Sequence, residues 1–187
     1  MKNYIHLFVV GALFAMASQS VLAQKLYGKN NKKSRPSYTY AGVRYLSQKL
    51  DDFDCTQDGI TVDGSYDFGN PIFARASFSD VSGDACGSSS IKVSGGYKAA
   101  WGSSSHVYGL LSFVRTSPDL GDDDTGLGFG GGIRGFVSPG IEAYFEVEHI
   151  TVFDGDTSAN FGGAYWVNQD FSLTGDVTVS AELFSFA

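Results

Sequence analysis

The stretch IKVSGGYKAAW, residues 91–101, carries the pattern that decides the fold. Ile91 and Val93 alternate with Lys92 and Ser94, and the alternation continues to the end of the stretch. A period of two over about ten residues is typical of a β-strand with one apolar and one polar face, because successive side chains point to opposite sides. The same alternation runs through residues 60–68, 141–148 and 171–183.

Short turns separate pairs of these stretches, at residues 69–71, 102–105, 138–140 and 168–170. One or two residues before each turn stands an aromatic residue, in order Phe68, Trp101, Phe136 and Trp166. These aromatic residues are 33, 35 and 30 positions apart. Helical solenoids can repeat at a similar period, but alternation with a period of two argues against helices. With residues 37–49, which alternate in the same way, nine strands are readable.

The composition narrows the classes of function. The chain has 187 residues and a formal net charge of −7, with 24 Gly, 15 Phe and 10 Tyr. The acidic balance argues against a partner made of nucleic acid, which would require a basic surface. Two cysteines with no histidine nearby cannot complete a four-ligand zinc site. No helical pattern follows the glycine-rich run 126–132, so this run does not indicate a nucleotide loop and we expect no cofactor.

Residues 1–23 have the layout of a secretory signal peptide. A lysine near the start precedes an apolar run over residues 5–17, and small residues lead up to Ala23. A transmembrane helix is the alternative, but it needs about 18 or more apolar residues. We therefore expect an exported protein without a helical anchor. Residues 24–36 contain five basic residues and are interpreted as a periplasmic lead-in, either solvated or touching anionic lipid headgroups.

The strand lengths and the two faces point to a membrane barrel. A tilted strand crosses a bilayer in about 9–11 residues, and the alternating stretches are that long. In such a barrel the apolar face meets lipid and the polar face fills the lumen. The four aromatic residues before the turns would form an interfacial girdle. The other connections, at 50–58, 79–89, 116–124 and 153–158, are longer and acidic. A secreted β-sandwich is the alternative.

Glycine-aromatic motifs recur in four of the strands, at residues 64–68, 95–99, 132–136 and 162–166. Through these motifs, residues 37–187 resemble the small outer-membrane β-barrels of the OmpA/OmpX/Ail-like type. The resemblance implies an all-β, antiparallel up-and-down transmembrane barrel of roughly 8–10 strands, with short periplasmic turns and acidic outer loops. It places the protein in the bacterial outer membrane, with outer-membrane lipid and lipopolysaccharide as partners. Members of this family are structural proteins, adhesins or narrow pores.

The strand count departs from that family. Bacterial single-chain barrels have an even number of strands, whereas nine are readable here. The family usually ends on an aromatic residue, and this chain ends with Phe186 and Ala187. Either a closing strand is missing or one of the nine segments does not span the membrane.

The alternation places charges of both signs on the inner face. The basic residues are Arg44, Arg75, Lys92, Lys98 and Arg134, and the acidic residues are Asp63, Asp67, Glu142, Glu146, Glu148, Asp176 and Glu182. The predicted lumen charge cluster consists of Arg44, Arg75, Lys98, Arg134, Glu142 and Glu146. Because an unpaired buried charge is costly, these groups should pair and plug the barrel. A selective pore or a proton path is the alternative.

The predicted outer loops carry two cysteines and many acids. Cys55 and Cys86 lie in the first two loops, where export and proximity allow a disulfide, with two free thiols as the alternative. The acids in or beside the loops are Asp51, Asp52, Asp54, Asp58, Asp80, Asp84, Asp119, Asp122, Asp123, Asp124, Asp154 and Asp156. The run Asp122 to Asp124 is a weak candidate site for divalent cations, with a solvated acidic rim as the alternative.

The sequence contains no catalytic motif of the GxSxG or HExxH type, and we expect no enzyme. His106 lies beside a turn, at the wrong end for an outer-rim site. His149 is near the outer rim but shares the parity of Val147, so it should face lipid. Two classes of function remain, a structural or surface-interaction barrel and a narrow pore for ions or small solutes. A lipid A-modifying barrel enzyme is a third alternative.

Overall fold

A computed structural model describes residues 6–9, 35–50, 55–69, 71–83, 86–168 and 170–181. The strands are β1 (His6–Val9), β2 (Tyr40–Leu50), β3 (Cys55–Asp67), β4 (Ile72–Ser82), β5 (Gly87–Trp101), β6 (Ser105–Pro118), β7 (Asp124–Ser138), β8 (Ile141–Ile150), β9 (Asp156–Trp166) and β10 (Ser172–Ala181). Within those ranges, no helix is long and apolar enough to cross a membrane.

All ten strands belong to one sheet, in the order β1-β10-β9-β8-β7-β6-β5-β4-β3-β2. From β2 to β10 each strand pairs antiparallel with the next strand in the chain, which confirms the predicted up-and-down fold. The sheet curls until its two ends meet. Arg44 Nη1 on β2 lies 3.6 Å from Asp176 Oδ2 on β10, although seven strands of the sheet separate β2 from β10. The structure is therefore a barrel with a lumen.

The nine strands β2 to β10 are those predicted from the alternation, and they are 10 to 15 residues long. The predicted first strand, 37–49, begins only at Tyr40. β1 lies within the predicted signal peptide. It pairs antiparallel with β10, from His6 opposite Ser180 to Val9 opposite Val177, and also contacts β2.

The two ends of the barrel differ in chemistry more than in loop length. The turn end carries connections 68–71, 102–104, 139–140 and 167–171, and the acidic end carries 51–54, 83–86, 119–123 and 151–155. About half of the residues expected in long loops at the acidic end belong to strands, because β2 to β7 and β9 extend into those stretches. That expectation was wrong in length and right in charge. At the turn end, Gly140 completes the two-residue connection with φ of 77°, a conformation that favours glycine.

The outer face of the sheet is apolar. Large side chains that are exposed on it include Ile60, Val62, Ile91, Val93, Leu111, Phe113, Leu127, Phe129 and Phe161. Soluble proteins rarely expose so continuous an apolar surface. The buried side chains include the polar residues Gln57, Thr61, Ser94, Ser112, Glu142, Glu148 and Asp176. The inside of the barrel thus holds many polar and charged side chains together with a few aromatic and aliphatic ones, whereas its outside is apolar, which is not the arrangement of a soluble β-sandwich.

Candidate functional site

The lumen is crossed by an ion pair between distant strands. Arg75 on β4 and Glu146 on β8 lie with Nη1 2.8 Å from Oε2. Tyr108 on β6 donates its hydroxyl to the same Glu146 oxygen at 2.6 Å. The Arg75 guanidinium also lies 5.1 Å from the centre of the Tyr108 ring. Side chains from β4 and β6 therefore contact the Glu146 carboxylate of β8 inside the barrel.

Two further ion pairs lie towards the turn end. Arg134 pairs with Glu142 across neighbouring strands β7 and β8, and Lys98 on β5 pairs with Asp67 on β3. Glu142 is only 1% exposed and also accepts a hydrogen bond from Trp166 Nε1 at 3.2 Å. Because each of its carboxylate oxygens has a donor, this buried charge is compensated.

The remaining pairs lie in two places. One is the seam, where β2 meets β10, and the other is the half of the lumen nearer the acidic end. Arg44 Nε lies 3.1 Å from Asp63 Oδ1, and Arg44 Nη1 lies 3.6 Å from Asp176 Oδ2. Lys92 Nζ lies 2.6 Å from Glu148 Oε2, and Ser112 donates to the other Glu148 oxygen at 2.7 Å. Both strands of the seam and the opposite wall are thus joined through charged side chains.

The structure brings the whole predicted lumen charge cluster together. Each of its members lies on the inner face and makes an ion pair, namely Arg44, Arg75, Lys98, Arg134, Glu142 and Glu146. Of the other charges predicted to point inward, Lys92, Asp63, Asp67, Glu148 and Asp176 are paired in the same way. Glu182 lies outside the described residues.

Inward aromatic rings lie opposite glycines on the neighbouring strand. Phe73 pairs in register with Gly96, Tyr108 with Gly132, and Tyr144 with Gly162. In each pair a Cβ added to the glycine would collide with the ring. The glycines on the inner face therefore make room for large rings in a narrow lumen. The glycine-aromatic motifs were recognised in the sequence, but these cross-strand partners were not.

Tyr38 is a lumen residue that the sequence analysis missed. It is 0% exposed, and its ring lies 4.5 Å from the Phe73 ring and 6.0 Å from the Tyr108 ring. Its parity was a usable signal, because Tyr38 has the even parity of Tyr40 and Arg44 and so points inward. Residue 38 lies within the predicted strand 37–49, but the alternation was followed only from Tyr40 onward.

Beside the Arg75–Glu146 pair the lumen contains a cavity of about 230 Å³. Its lining includes Arg44, Arg75, Tyr144, Glu146 and Asn160. Among the described residues, Arg75 Nε, Asn160 Oδ1 and Asp176 Oδ1 are buried without a hydrogen-bond partner. Charged and polar side chains line the cavity together with apolar groups, and it is large enough to hold several water molecules.

Two of the four residues predicted for the interfacial girdle lie on the outer face of the sheet and two do not. Phe68 and Trp101 are on the outer face, 65% and 59% exposed. Trp166 instead points into the lumen, where it contacts Glu142. Phe136 also faces inward, because it pairs in register with Glu142 and directly paired residues share a face of the sheet.

Other exposed aromatic residues take up the outer face of the turn end, and they are Tyr66, Tyr97, Tyr165 and Phe171. Trp166 and Phe136 were assigned by their distance from a turn rather than by parity. The neighbouring residues Tyr165 and Val137 are the exposed ones, at 58% and 70%.

At the acidic end Cys55 and Cys86 are joined in a disulfide, with their Cα atoms 6.5 Å apart. The candidate cation run is not arranged as a site. Arg115 pairs with Asp123 at 2.7 Å, and the Asp124 carboxylate accepts the Phe153 backbone N–H at 2.6 Å. Hydrogen bonds from Arg115 and Ser117 lower the pKa of Asp123. No group of three potential metal ligands occurs in the part of the chain that the structure describes.

The two histidines considered for catalysis lie far from each other in the fold. His149 is on the outer face, where Nδ1 lies 2.8 Å from Thr157 Oγ1 and the ring contacts Phe129. His106 faces the lumen at the turn end, with its ring 5.6 Å from that of Tyr38.

No family model matches this chain, and no curated protein is similar to it at a significant level, so the OmpA/OmpX/Ail-like resemblance is not confirmed. Two solved structures are similar in shape, the KdgM porin and the KdgM porin in complex with disordered oligogalacturonate. Each has a TM-score of 0.46 and 14% sequence identity, over 82% of this chain and 88% of the porin. Both values lie below the level at which a substrate or an activity can be transferred. What is established here is an all-β, antiparallel up-and-down barrel with a charged lumen.

Proposed function

We propose that this chain is an integral barrel of the bacterial outer membrane with a structural or surface-interaction role and no catalytic activity. Membrane insertion is supported by the apolar outer face and by strands of 10 to 15 residues, long enough for a tilted crossing. Outer-membrane lipid and lipopolysaccharide are its proposed partners, because the apolar band needs a hydrocarbon environment.

The observation that carries the structural role is the pairing of charges in the lumen. Among the described residues of the lumen, five basic side chains meet six acidic side chains in ion pairs that join both sides of the barrel. A wide channel would leave such charges solvated and separated. Here they brace the wall against collapse and fill the interior, as side chains do in other small barrels.

A narrow pore for ions or small solutes is the second candidate. The polar cavity of about 230 Å³ favours it, since a conduit through a barrel must begin from connected polar space. The ion pairs argue against steady conduction, because an ion passing through would have to displace Arg75 or Glu146 from each other.

Planar bilayer recording of the refolded mature protein separates the two candidates. Insertion is checked first by gel mobility, since a folded barrel migrates differently before and after boiling. For a structural barrel we expect the boiled and unboiled bands to differ and the inserted protein to show no stable open level. A stable open level in most insertions would contradict the structural role and support the pore. Absence of any heat-dependent shift, with a helical far-UV spectrum, would contradict the barrel itself.

A further inference from the structure

The chain enters the lumen before it joins the sheet. Residues 35–39 precede β2 at the turn end of the barrel, where Arg35 is exposed at the rim and Pro36 and Tyr38 are buried in the lumen. Two hydrogen bonds hold this segment to the rim. Arg35 Nη2 donates to the Gly102 carbonyl oxygen at 3.1 Å, and the Asp67 backbone N–H donates to Thr39 Oγ1 at 3.1 Å.

The Tyr38 ring is held on all sides by groups from different strands. Phe73, His106 and Tyr108 contact it with ring centres 4.5, 5.6 and 6.0 Å away. Lys98 Nζ lies 4.7 Å from the centre of the ring, and the Arg134 guanidinium lies 5.5 Å from it. Aromatic pairs and cation–π contacts are favourable, and more so when they are buried. Together these contacts hold the side chain of Tyr38 in the lumen, although Tyr38 precedes β2 and is not part of the sheet.

The hydroxyl of Tyr38 adds nothing to that binding. Its oxygen is buried and has no hydrogen-bond partner among the described residues. A buried unsatisfied hydroxyl is unfavourable, so the position is selected for the ring and not for a hydrogen bond. Phenylalanine should therefore replace Tyr38 without loosening the segment, and alanine should not.

We propose that residues 35–39 form a stopper that closes the lumen at the turn end, and that its withdrawal opens the polar cavity to the solvent on that side. The inference rests on the proposed barrel and goes beyond its structural role, because it makes closure a property of one short, removable segment. The cavity lies directly beyond the Tyr38 site, since Tyr108 and Arg134 contact the Tyr38 ring and also line the cavity.

The experiment measures access to the cavity with a cysteine at position 77. Ser77 lines the cavity, and Ser77→Cys is close to isosteric. The native cysteines are bonded to each other and do not compete for the reagent. The refolded variant is treated with a small cationic methanethiosulfonate, and the labelling rate is compared for Tyr38, Tyr38→Phe and Tyr38→Ala backgrounds. We expect Tyr38→Ala to label at least tenfold faster than Tyr38 (roughly the effect of losing one well-packed ring), and Tyr38→Phe to label at the rate of Tyr38.

A second variant covers the case in which Tyr38→Ala does not fold. Arg35→Ala combined with Thr39→Ala removes both rim hydrogen bonds and keeps the ring, and it should raise the labelling rate to a smaller degree. Equal rates in all backgrounds that retain a heat-dependent gel shift would overturn the stopper and leave the barrel intact. Loss of the gel shift in the protein with native Tyr38 would instead overturn the proposed barrel.

Discussion

Arg75 and Glu146 form an ion pair across the lumen, with 2.8 Å between Nη1 and Oε2, although 71 positions separate them in the chain. Three strands of the sheet lie between β4 and β8, so the contact exists only because the sheet curls into a barrel. Tyr108 donates to the same carboxylate from the strand midway between them. This contact joins opposite walls and defines the middle of the interior.

Removing one partner of this pair should destabilise the barrel strongly. Arg75→Met and Glu146→Gln should each lower the free energy of unfolding by about 3 kcal/mol, because each leaves an uncompensated charge in a low-dielectric interior. The double variant should lose less than the sum of the two single losses. Urea unfolding in lipid vesicles, followed by gel mobility, measures all four proteins. Strictly additive losses would show that the two side chains do not interact.

The matched control is an ion pair on the surface. Arg115 Nη2 lies 2.7 Å from Asp123 Oδ2, but the two side chains are 58% and 48% exposed. Arg115→Gln should change the free energy of unfolding by only about 0–1 kcal/mol, since solvent screens exposed pairs.

The disulfide should leave no free thiol and should not be required for folding. Thiol labelling of the denatured, unreduced protein should find neither Cys55 nor Cys86 reactive. Cys55→Ser should still give a heat-dependent gel shift, because β3, β4 and β5 are joined by continuous backbone pairing. Two reactive thiols in the native protein would contradict the bridge.

The two tryptophans should report opposite faces of the wall. A chain with Trp166→Phe retains only Trp101, which is 59% exposed on the outer face, and lipids carrying a quencher near the headgroup should strongly reduce its fluorescence. A chain with Trp101→Phe retains only Trp166, which contacts Glu142 in the lumen and should be quenched several-fold less. Equal quenching of both proteins would show that Trp166 also faces the lipid and would contradict its position in the lumen.

Two adjacent glycines on β5 should respond differently to the same substitution. A Cβ at Gly96 would collide with the Phe73 ring, whereas a Cβ at Gly95 would meet nothing within 4 Å. Gly96→Ala should lower the free energy of unfolding by about 1–3 kcal/mol, the usual effect of overpacking. Gly95→Ala is the control and should be close to neutral. Equal effects at both positions in urea unfolding would argue that Phe73 does not pack over Gly96.

The alternation in the sequence was sufficient to predict the strands and their two faces. Successive side chains of a strand point to opposite sides whatever the partner, so the inner or outer position of Arg75, Lys98 or Glu142 is a local property. The same rule would have placed Trp166 and Phe136 inside and Tyr38 in the lumen. Trp166 and Phe136 were assigned by their distance from a turn, and Tyr38 was given no face although it lies in the predicted strand 37–49, so parity was the better guide.

Loop lengths could not be read in the same way. The polar, glycine-containing stretch 79–89 was interpreted as a loop. Most of its residues belong to strands, because β4 continues to Ser82 and β5 begins at Gly87. Backbone pairing with a neighbouring strand extends a strand beyond the point where its own alternation fades, and that pairing is not visible in a single segment.

The sequence by itself determined the class of fold, the polarity of each face and the charged residues of the lumen, because these depend on a period of two along the chain. Only the tertiary structure decided that Arg75 meets Glu146, that Phe73 packs over Gly96 and that Tyr38 lies among Lys98, Arg134 and three rings. Those contacts depend on the curl and register of the whole sheet, which bring together residues that no local pattern connects.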